Sequence, residues 1–482
     1  MTGLNPIHGV IERAAASPEA IAIQSAKGEF LNSVFVDTVV RIAAKLRADG
    51  VRPGSVVGLR MDPFLNTVFL AALMHEGAVS FVARGNIVEE HASSIDALYS
   101  DDAVFAARVP GGVHVTPRWL EEAARINPRI EPNDFADDES LVHLVFSSGT
   151  TGTPKGVPFT LRDLKMRTAA ARENWMPHLP FLSELGLDTV SGMQTYFWSL
   201  FSGETYLLPG AAADDVAHIE RACVQSIKTS PAKLKDLVAA VRAKQANVSS
   251  VKTVEVAGSL LGPQLATVFA QVFDAELVYL YGSTEAGTIT RAVYYPPDPQ
   301  RVGRVVPTAR VEIVDENDDS VPSGQTGAVR LQSDYQATRY WPPTSHPTAF
   351  RDGWFYPGDT GFLDADGTLV ITGRTDELIN ASGLKINPAW VESHIGVYRG
   401  ISDLACFALG SNDGTSELAL AFVSENEIDV DRFVTFLRDQ LGDNAPRHVF
   451  RMMEIPRNPL GKVARIELST RIVAAGQERS PS

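Results

Sequence analysis

The sequence predicts an α/β protein in which helices cover parallel β-sheets. Near the N-terminus, residues 56–59 indicate a strand, residues 66–75 a helix and residues 78–82 a second strand. This alternation is typical of parallel sheets whose strands are connected through helices. The chain has 482 residues, of which 44% are hydrophobic. We therefore expect more than one domain and a large core.

Composition and charge exclude several classes of function. The net charge is −15 and the pI is about 5.2, and without a long basic cluster this argues against nucleic-acid binding. The two cysteines, Cys223 and Cys406, lie far apart, which indicates a reducing compartment rather than a disulfide framework. Residues 1–18 lack a signal-peptide pattern, and the most apolar stretch, residues 68–83, is too short to cross a bilayer. We expect a soluble cytoplasmic protein without membrane or nucleic-acid partners.

The segments before the first motif follow in order. Residues 7–48 favour helices separated by a short extended piece, with apolar residues at helical spacing over 36–46. Residues 51–55 indicate a turn that contains Pro and Gly. Residues 131–139 are acidic and rich in turn-forming residues. We expect this segment to lead into a buried strand over residues 141–146.

Glycines, hydroxyls and one lysine follow that strand closely. Glycines let backbone N–H groups approach an anion, hydroxyls add donors, and Lys155 adds a positive charge. The loop is not a Walker A loop, because Lys155 stands between Pro154 and Gly156 rather than before Ser or Thr. A flexible linker is the alternative, but a linker is not expected directly behind a buried strand. The predicted phosphate-binding residues are Ser147, Ser148, Gly149, Thr150, Thr151, Gly152 and Lys155.

An aromatic helix is predicted further along the chain. Residues 161–175 indicate a helix, residues 176–186 an irregular segment with two prolines, and residues 188–201 a second helix. Tyr196 and Trp198 belong to an aromatic stripe on this second helix. Two interpretations of the stripe stay open. It is either plain core or the wall of a ligand pocket, because such pockets are mostly apolar and aromatic.

Two later strands end in residues that suit a nucleotide. Residues 249–259 end in Ala-Gly-Ser, where Gly258 lets a flat ligand approach the backbone closely. Residues 277–280 indicate a short strand that runs into the segment 281–287, which contains Glu285. A surface turn is the alternative for this segment. Behind a phosphate loop, a carboxylate at a strand end predicts a Mg²⁺ ligand, because Mg²⁺ takes few protein oxygens plus phosphate oxygens.

The C-terminal third begins with β-structure and ends with a small α+β region. Residues 304–331 alternate as strands do, and Asp359 follows in a glycine-rich turn, where its carboxylate can accept two hydroxyl hydrogen bonds. Near the end, Pro459 and Gly461 favour a tight loop that presents Lys462. We expect the tail after residue 473 to be disordered. The last region is predicted to contain helices over 389–396 and 430–441 and strands over 404–409 and 418–423.

These motifs, in this order, resemble those of the adenylate-forming superfamily, which includes acyl-CoA synthetases, peptide-synthetase adenylation domains and firefly luciferase. The resemblance covers almost the whole chain. It implies a large N-terminal domain over residues 1–375, built of helix-covered β-sheets plus a distorted β-barrel. It also implies a small mobile C-terminal α+β domain over residues 376–482, which would carry the catalytic lysine.

The resemblance implies ATP and Mg²⁺ as cofactors and assigns roles to single residues. Lys462 would carry adenylation and Glu285 would hold Mg²⁺. Asp376 would be the hinge between the domains, and Gly383 would lie on the loop that enters for the second half-reaction. The acyl pocket would include Tyr196, Trp198 and Gly258.

The same resemblance places the nucleotide. Asp359 would accept both ribose hydroxyls, Tyr281 would flank the adenine, Thr284 would contact the α-phosphate and Arg374 the ribose and phosphate. Besides the phosphate loop, the residues implied to bind the nucleotide are Gly258, Ser259, Tyr281, Gly282, Thr284, Asp359 and Arg374.

The sequence departs from the family where the acyl acceptor is expected. Most members place a histidine or an aromatic residue ahead of the helix that walls the acyl site, and here that place falls at Asp188. Asp188 is a helix N-cap, a surface acid, or a catalytic base for an attacking amine. The third interpretation resembles the stand-alone amide bond synthetases of the superfamily. It favours transfer of the acyl group to an amine, and an acid–CoA ligase with CoA as second substrate is the alternative.

The predicted activity is therefore that of an AMP-forming ligase. A carboxylic acid would attack the α-phosphate of ATP to give acyl-AMP and pyrophosphate, and an amine or CoA would then displace AMP. The aromatic stripe favours an aryl or heteroaryl acid. Too few residues follow Lys462 for a fused carrier protein. A nucleotide sensor without catalysis is disfavoured by the joint presence of Lys462, Glu285 and Asp359, and a luciferase-like oxygenase would be revealed by light emission.

Overall fold

The computed structural model describes residues 3–147, 154–171, 176–259, 261–294, 300–343, 349–375, 379–381, 384–386, 388–395, 398, 400–410, 416–424, 426–442, 445–457 and 463–475. Within these residues the chain forms four β-sheets with helices between and around them. Three sheets are built from residues up to 374 and the fourth from residues 379–451. The predicted α/β class is confirmed.

A six-stranded sheet lies in the N-terminal part, and its first five strands run parallel. The sixth strand returns antiparallel, with Ser147 opposite Lys155. The two described ends of the predicted phosphate loop therefore lie side by side. In sheet order the strands are Val113–His114, Ala97–Ser100, Val56–Arg60, Val79–Val82, Leu141–Ser147 and Lys155–Thr160.

A twelve-stranded sheet carries the other predicted nucleotide motifs. Strands Phe181–Ser183, Ser226–Thr229, Thr253–Val256 and Glu276–Ser283 pair in parallel. The first of these lies in a segment that the sequence predicts to be irregular, so that expectation is wrong there; pairing with the neighbouring strand orders the three residues after Pro180. The antiparallel strands predicted as a distorted barrel continue this sheet. They are Gly287–Val293, Arg301–Val305, Ala309–Val314, Gly327–Ser333, Phe350–Arg351, Trp354–Phe355, Asp359–Leu363 and Thr368–Arg374.

Two hydrophobic clusters cover these sheets. One packs the helices Asn32–Ala48, Pro63–His75 and Val190–Ser202 against the six-stranded sheet. The other packs the helices Ala212–Ala222 and Pro231–Lys244 against one face of the twelve-stranded sheet. The opposite face of that sheet therefore looks toward the six-stranded sheet, and the candidate site lies between them.

The remaining sheet of the N-terminal part has three strands, Tyr206–Leu207, Ile21–Ser25 and Gly28–Leu31. Across the ranges given above, the structure contains no helix that combines the length and the apolar character needed to cross a membrane. The other helices up to residue 375 are Ile7–Ala16, Ile87–Glu90, Ala103–Ala106, Pro117–Arg125, Leu161–Ala169 and Pro263–Ala270, with a short 3₁₀ helix at Ala92–Ser94.

The fourth sheet has its own apolar core between the helices of the C-terminal part. Its long strands Asp403–Gly410 and Ser416–Val423 are antiparallel neighbours, close to the two strands predicted there. The other strands are Ile379–Ala381, Leu384–Ile386 and His448–Arg451, and the helices are Pro388–Ile395, Val430–Leu441 and Arg465–Ala475. The predicted boundary between residues 375 and 376 remains a prediction, because Asp376 lies outside the described residues.

Candidate functional site

A cavity of about 2360 Å³ collects most of the described site residues that the sequence predicts. It opens at the ends of strands from both large sheets and is also lined by residues of the C-terminal part, including Glu392 and Arg465. The predicted residues that line it are Ser147, Lys155, Asp188, Gly258, Ser259, Tyr281, Gly282, Thr284, Glu285, Asp359 and Arg374.

One corner of the cavity is built around Asp359. This residue begins the strand Asp359–Leu363 and lies opposite Arg374 in the register. Arg374 donates from Nη1 to Asp359 Oδ1 at 3.0 Å and from Nη2 to the Pro357 carbonyl at 3.0 Å. Tyr281 donates its hydroxyl to the other carboxylate oxygen at 2.5 Å. Burial and the Asp359 charge hold the pKa of Tyr281 well above its ordinary value, so the tyrosine remains a donor.

Glu285 lies on a tight turn between two antiparallel strands. Gly287 adopts φ +74°, and a Cβ at Gly282 would lie 2.0 Å from the Gly287 carbonyl oxygen, so both positions require glycine. The Glu285 side chain is buried, and its Oε1 accepts a hydrogen bond from the Tyr340 hydroxyl at 3.0 Å. Lys155 Nζ lies 5.3 Å from the centre of the Tyr340 ring. The turn thus holds a carboxylate on the same cavity as the lysine of the phosphate loop.

Asp188 lies on the loop that precedes the helix Val190–Ser202. The helix N-cap is Thr189, whose hydroxyl accepts from Gly192 N at 3.1 Å, so the N-cap interpretation of Asp188 is wrong. Asp188 Oδ2 instead accepts from Arg84 Nη1 at 2.7 Å, and the two side chains are only 27% and 24% exposed. Arg84 Nη2 also lies 3.5 Å from the Phe146 carbonyl, on the strand that leads into the phosphate loop. Asp188 is therefore a cavity-lining carboxylate with a fixed cationic partner.

The aromatic stripe belongs to the core. Tyr196 is buried and donates to the Thr67 carbonyl at 2.5 Å, and Trp198 packs with Phe181 and Leu280. Neither ring lines the cavity, so the prediction that Tyr196 and Trp198 wall an acyl pocket is not supported by their packing. The same helix reaches the cavity through Val190, Ser191 and Gln194.

The comparison with family models decides the family. A model described as "AMP-binding enzyme" matches residues 11–341, which is more than half of the chain. The chain belongs to the AMP-binding enzyme family. The resemblance on which the roles of the sequence motifs rest is thereby confirmed at the level of the family.

Curated relatives of this AMP-binding enzyme fall into two groups. One of the plipastatin synthase subunits from Bacillus subtilis (strain 168) is 28% identical over 505 residues, which cover 95% of this chain but 19% of the relative. The chain thus spans about a fifth of the length of that much longer synthase protein. The 4-coumarate–CoA ligase 5 from Oryza sativa subsp. japonica is 28% identical over 516 residues, which cover 97% of this chain and 95% of the ligase.

Solved structures similar to this AMP-binding enzyme share its fold over the whole chain. The amide bond synthetase McbA from Marinactinospora thermotolerans superposes with a TM-score of 0.82 at 22% identity, covering 96% of this chain and 99% of that one. The O-succinylbenzoate coenzyme A synthetase MenE from Bacillus subtilis, in complex with AMP, superposes with a TM-score of 0.84 at 18% identity, with full coverage of both chains. At these identities the superpositions establish the fold.

Several predicted site residues lie outside the described residues. These are Ser148, Gly149, Thr150, Thr151, Gly152, Asp376, Gly383 and Lys462. Their roles remain predictions.

Sequence reasoning missed four cavity residues. Arg84 and Tyr340 bind the predicted carboxylates Asp188 and Glu285, and Glu184 and Lys228 are buried but line the cavity. Each stands outside a recognisable motif. The available signal was a charged residue inside or just after an apolar strand, as with Lys228 in Ser226–Thr229.

Proposed function

We propose that this protein is an ATP-dependent, AMP-forming ligase that activates a carboxylic acid as acyl-AMP and transfers the acyl group to an amine. The observation that carries the proposal is that Asp188, Glu285, Asp359 and Arg374 line one cavity. The cavity thus brings together groups suited to a ribose, a metal-bound phosphate and a cationic acceptor.

The Asp359 corner binds the ribose in this proposal. Tyr281 and Arg374 each occupy one carboxylate oxygen. A carboxylate has about four lone-pair sites, so both oxygens retain capacity for the two ribose hydroxyls. Because two donors fix its orientation in advance, little side-chain freedom is lost on binding.

The Glu285 turn and Lys155 hold the phosphates. A buried carboxylate beside a lysine on one cavity is the donor set that Mg²⁺ and a triphosphate require, since Mg²⁺ combines one or two carboxylates with phosphate oxygens. When bound there, Mg²⁺ supplies positive charge that offsets the phosphate charge. Tyr340 fixes one Glu285 oxygen and leaves the other to a ligand. Ser147 and Lys155, opposite each other in the sheet, fix the two ends of the phosphate loop.

Lys462 completes adenylation in this proposal. Its ammonium group neutralises the acid carboxylate and the α-phosphate as they approach, and such preorganised charge is usually the largest catalytic contribution. Residues 1–375 and 376–482 act as two domains that turn about Asp376, so that Lys462 serves the first half-reaction and the Gly383 loop the second.

Asp188 supports an amine as the acyl acceptor. A carboxylate held by Arg84 on the cavity wall attracts an alkylammonium ion and can receive its proton as the nitrogen attacks the acyl carbonyl. The second candidate is an acid–CoA ligase. It is favoured by the near-complete mutual coverage with a 4-coumarate–CoA ligase.

The test is acid-dependent release of pyrophosphate from ATP and Mg²⁺. A panel of aryl and heteroaryl acids is screened first without an acceptor, and then with simple amines or CoA. We expect release with at least one acid and an amide product on addition of an amine. Absence of acid-dependent release across the panel would contradict adenylation, and thioester without amide would favour the CoA ligase.

A further inference from the structure

The inner wall of the cavity is one face of the twelve-stranded sheet. Lys228 pairs in register with Glu255, and Glu255 with Val278 on the next strand. Side chains on a strand alternate between faces, so Ala257 and Leu280, two residues further along, lie on this same face. Lys228, Ala257 and Leu280 all line the cavity.

The cavity therefore extends backwards along the strands from the nucleotide corner. Gly258 and Tyr281 stand at its outer end, and Lys228 stands at its inner end. Glu255, the register partner of Lys228, precedes Gly258 by three residues, which at about 3.3 Å per residue is about 10 Å. This distance accommodates one aromatic ring with a short substituent between the reacting carboxyl group and Lys228.

The inner end carries an excess of positive charge. Lys228 is 2% exposed and its partner Glu255 is fully buried. Arg291 Nε lies 3.5 Å from Glu255 Oε1, so two cations face one carboxylate. Neither oxygen of Glu255 has a hydrogen-bond partner among the described residues. Burial lowers the pKa of Lys228 to about 8, and the Glu255 charge opposes this.

We propose that Lys228 binds an oxygen acceptor on the far end of the acid substrate. The acid is then an aromatic carboxylic acid whose ring bears a second carboxylate or a comparable oxygen substituent opposite the reacting group. Glu255 and Arg291 position the lysine. The inference rests on the proposed function, because it assigns the acid of that same site. A charged hydrogen bond inside a closed pocket discriminates strongly against an isostere that lacks the acceptor.

The test compares two acids of similar shape, terephthalate and 4-methylbenzoate, in acid-dependent pyrophosphate release. The unmodified protein should use terephthalate with the higher kcat/KM. Lys228→Met should lower the ratio of the two kcat/KM values about 10- to 100-fold, by loss of terephthalate activity alone. Lys235→Met removes a lysine of exposed position on the same cavity and should leave the ratio unchanged.

A second variant protects the test against misfolding, since a buried Glu255 without its lysine is costly. Lys228→Met combined with Glu255→Gln removes both charges, and an ATP-induced rise in melting temperature reports that the fold is retained. The same fall in the ratio is expected. An unchanged ratio in a folded variant, or a preference of the unmodified protein for 4-methylbenzoate, would overturn the assignment of Lys228. Failure of every acid, apolar ones included, would contradict the proposed function itself.

Discussion

Replacing Asp188 with Asn separates the two half-reactions most sharply. The substitution keeps the shape of the side chain and removes the charge that pairs with Arg84 Nη1 at 2.7 Å. Because Thr189, not Asp188, caps the following helix, the helix keeps its N-cap. With both side chains about a quarter exposed, we expect a loss of about 1 kcal/mol in the free energy of unfolding.

The effect on chemistry should be much larger. Removal of a positioned base typically lowers a rate by about 10²–10⁴-fold. Adenylation uses other residues, so pyrophosphate release should persist while acyl-AMP accumulates and amide formation falls. The assay is a single turnover of preformed acyl-AMP with an amine, followed beside acid-dependent pyrophosphate release and thermal unfolding.

Two further variants serve as matched controls. Arg84→Met leaves the Asp188 carboxylate without its guanidinium, and misplacement of about 1 Å should lower amide formation up to about 100-fold. Gly186→Ala places a Cβ 2.6 Å from Asp188 Oδ1 and should displace the same carboxylate. If Asp188→Asn forms amide from acyl-AMP at the normal rate, Asp188 is a structural partner of Arg84 and the reasoning is refuted.

The remaining predictions concern the nucleotide, the lysine and a buried acid pair. Glu285→Gln should raise the Mg²⁺ concentration needed for pyrophosphate release, and an unchanged requirement would exclude it as a ligand. Asp359→Ala should weaken ATP binding about 10- to 100-fold, because hydrogen bonds to a charged group contribute about 1.5–3 kcal/mol each, with the KM of the acid unchanged. Lys462→Ala should lower acyl-AMP formation by orders of magnitude while preformed acyl-AMP is still consumed; normal formation would contradict its role. Burial raises the pKa of Glu184 to about 8 and of Asp215 to about 6; the folded state then holds protons that the unfolded state releases at lower pH, so the melting temperature should fall as pH rises from about 4 through about 8, and Glu184→Gln should flatten that fall.

The sequence was most informative where backbone geometry and chemistry coincide. The turn that carries Glu285 needs Gly282 and Gly287 for steric reasons, so its letters reveal both the turn and the carboxylate. Short apolar strands that end in Gly or Asp were predicted for the same reason. Asp359 thus appeared at a strand start before any contact was known.

Contacts between distant residues could not be predicted in this way. Arg84 and Asp188 are 104 residues apart, and Glu285 and Tyr340 are 55 apart. Such pairs depend on how the sheets pack, which periodicity does not encode. The helix Val190–Ser202 shows the same limit, since most of its residues are buried. Its pattern could not distinguish the side that faces the cavity from the side that carries Tyr196.

The choice of acceptor is tested most directly by competition. Preformed acyl-AMP of an accepted acid is mixed with the protein, one amine and CoA at equal concentrations, and the amide and thioester products are quantified. The account predicts amide as the main product and a shift away from amide in the Asp188→Asn variant. Thioester as the main product with the unmodified protein would contradict it.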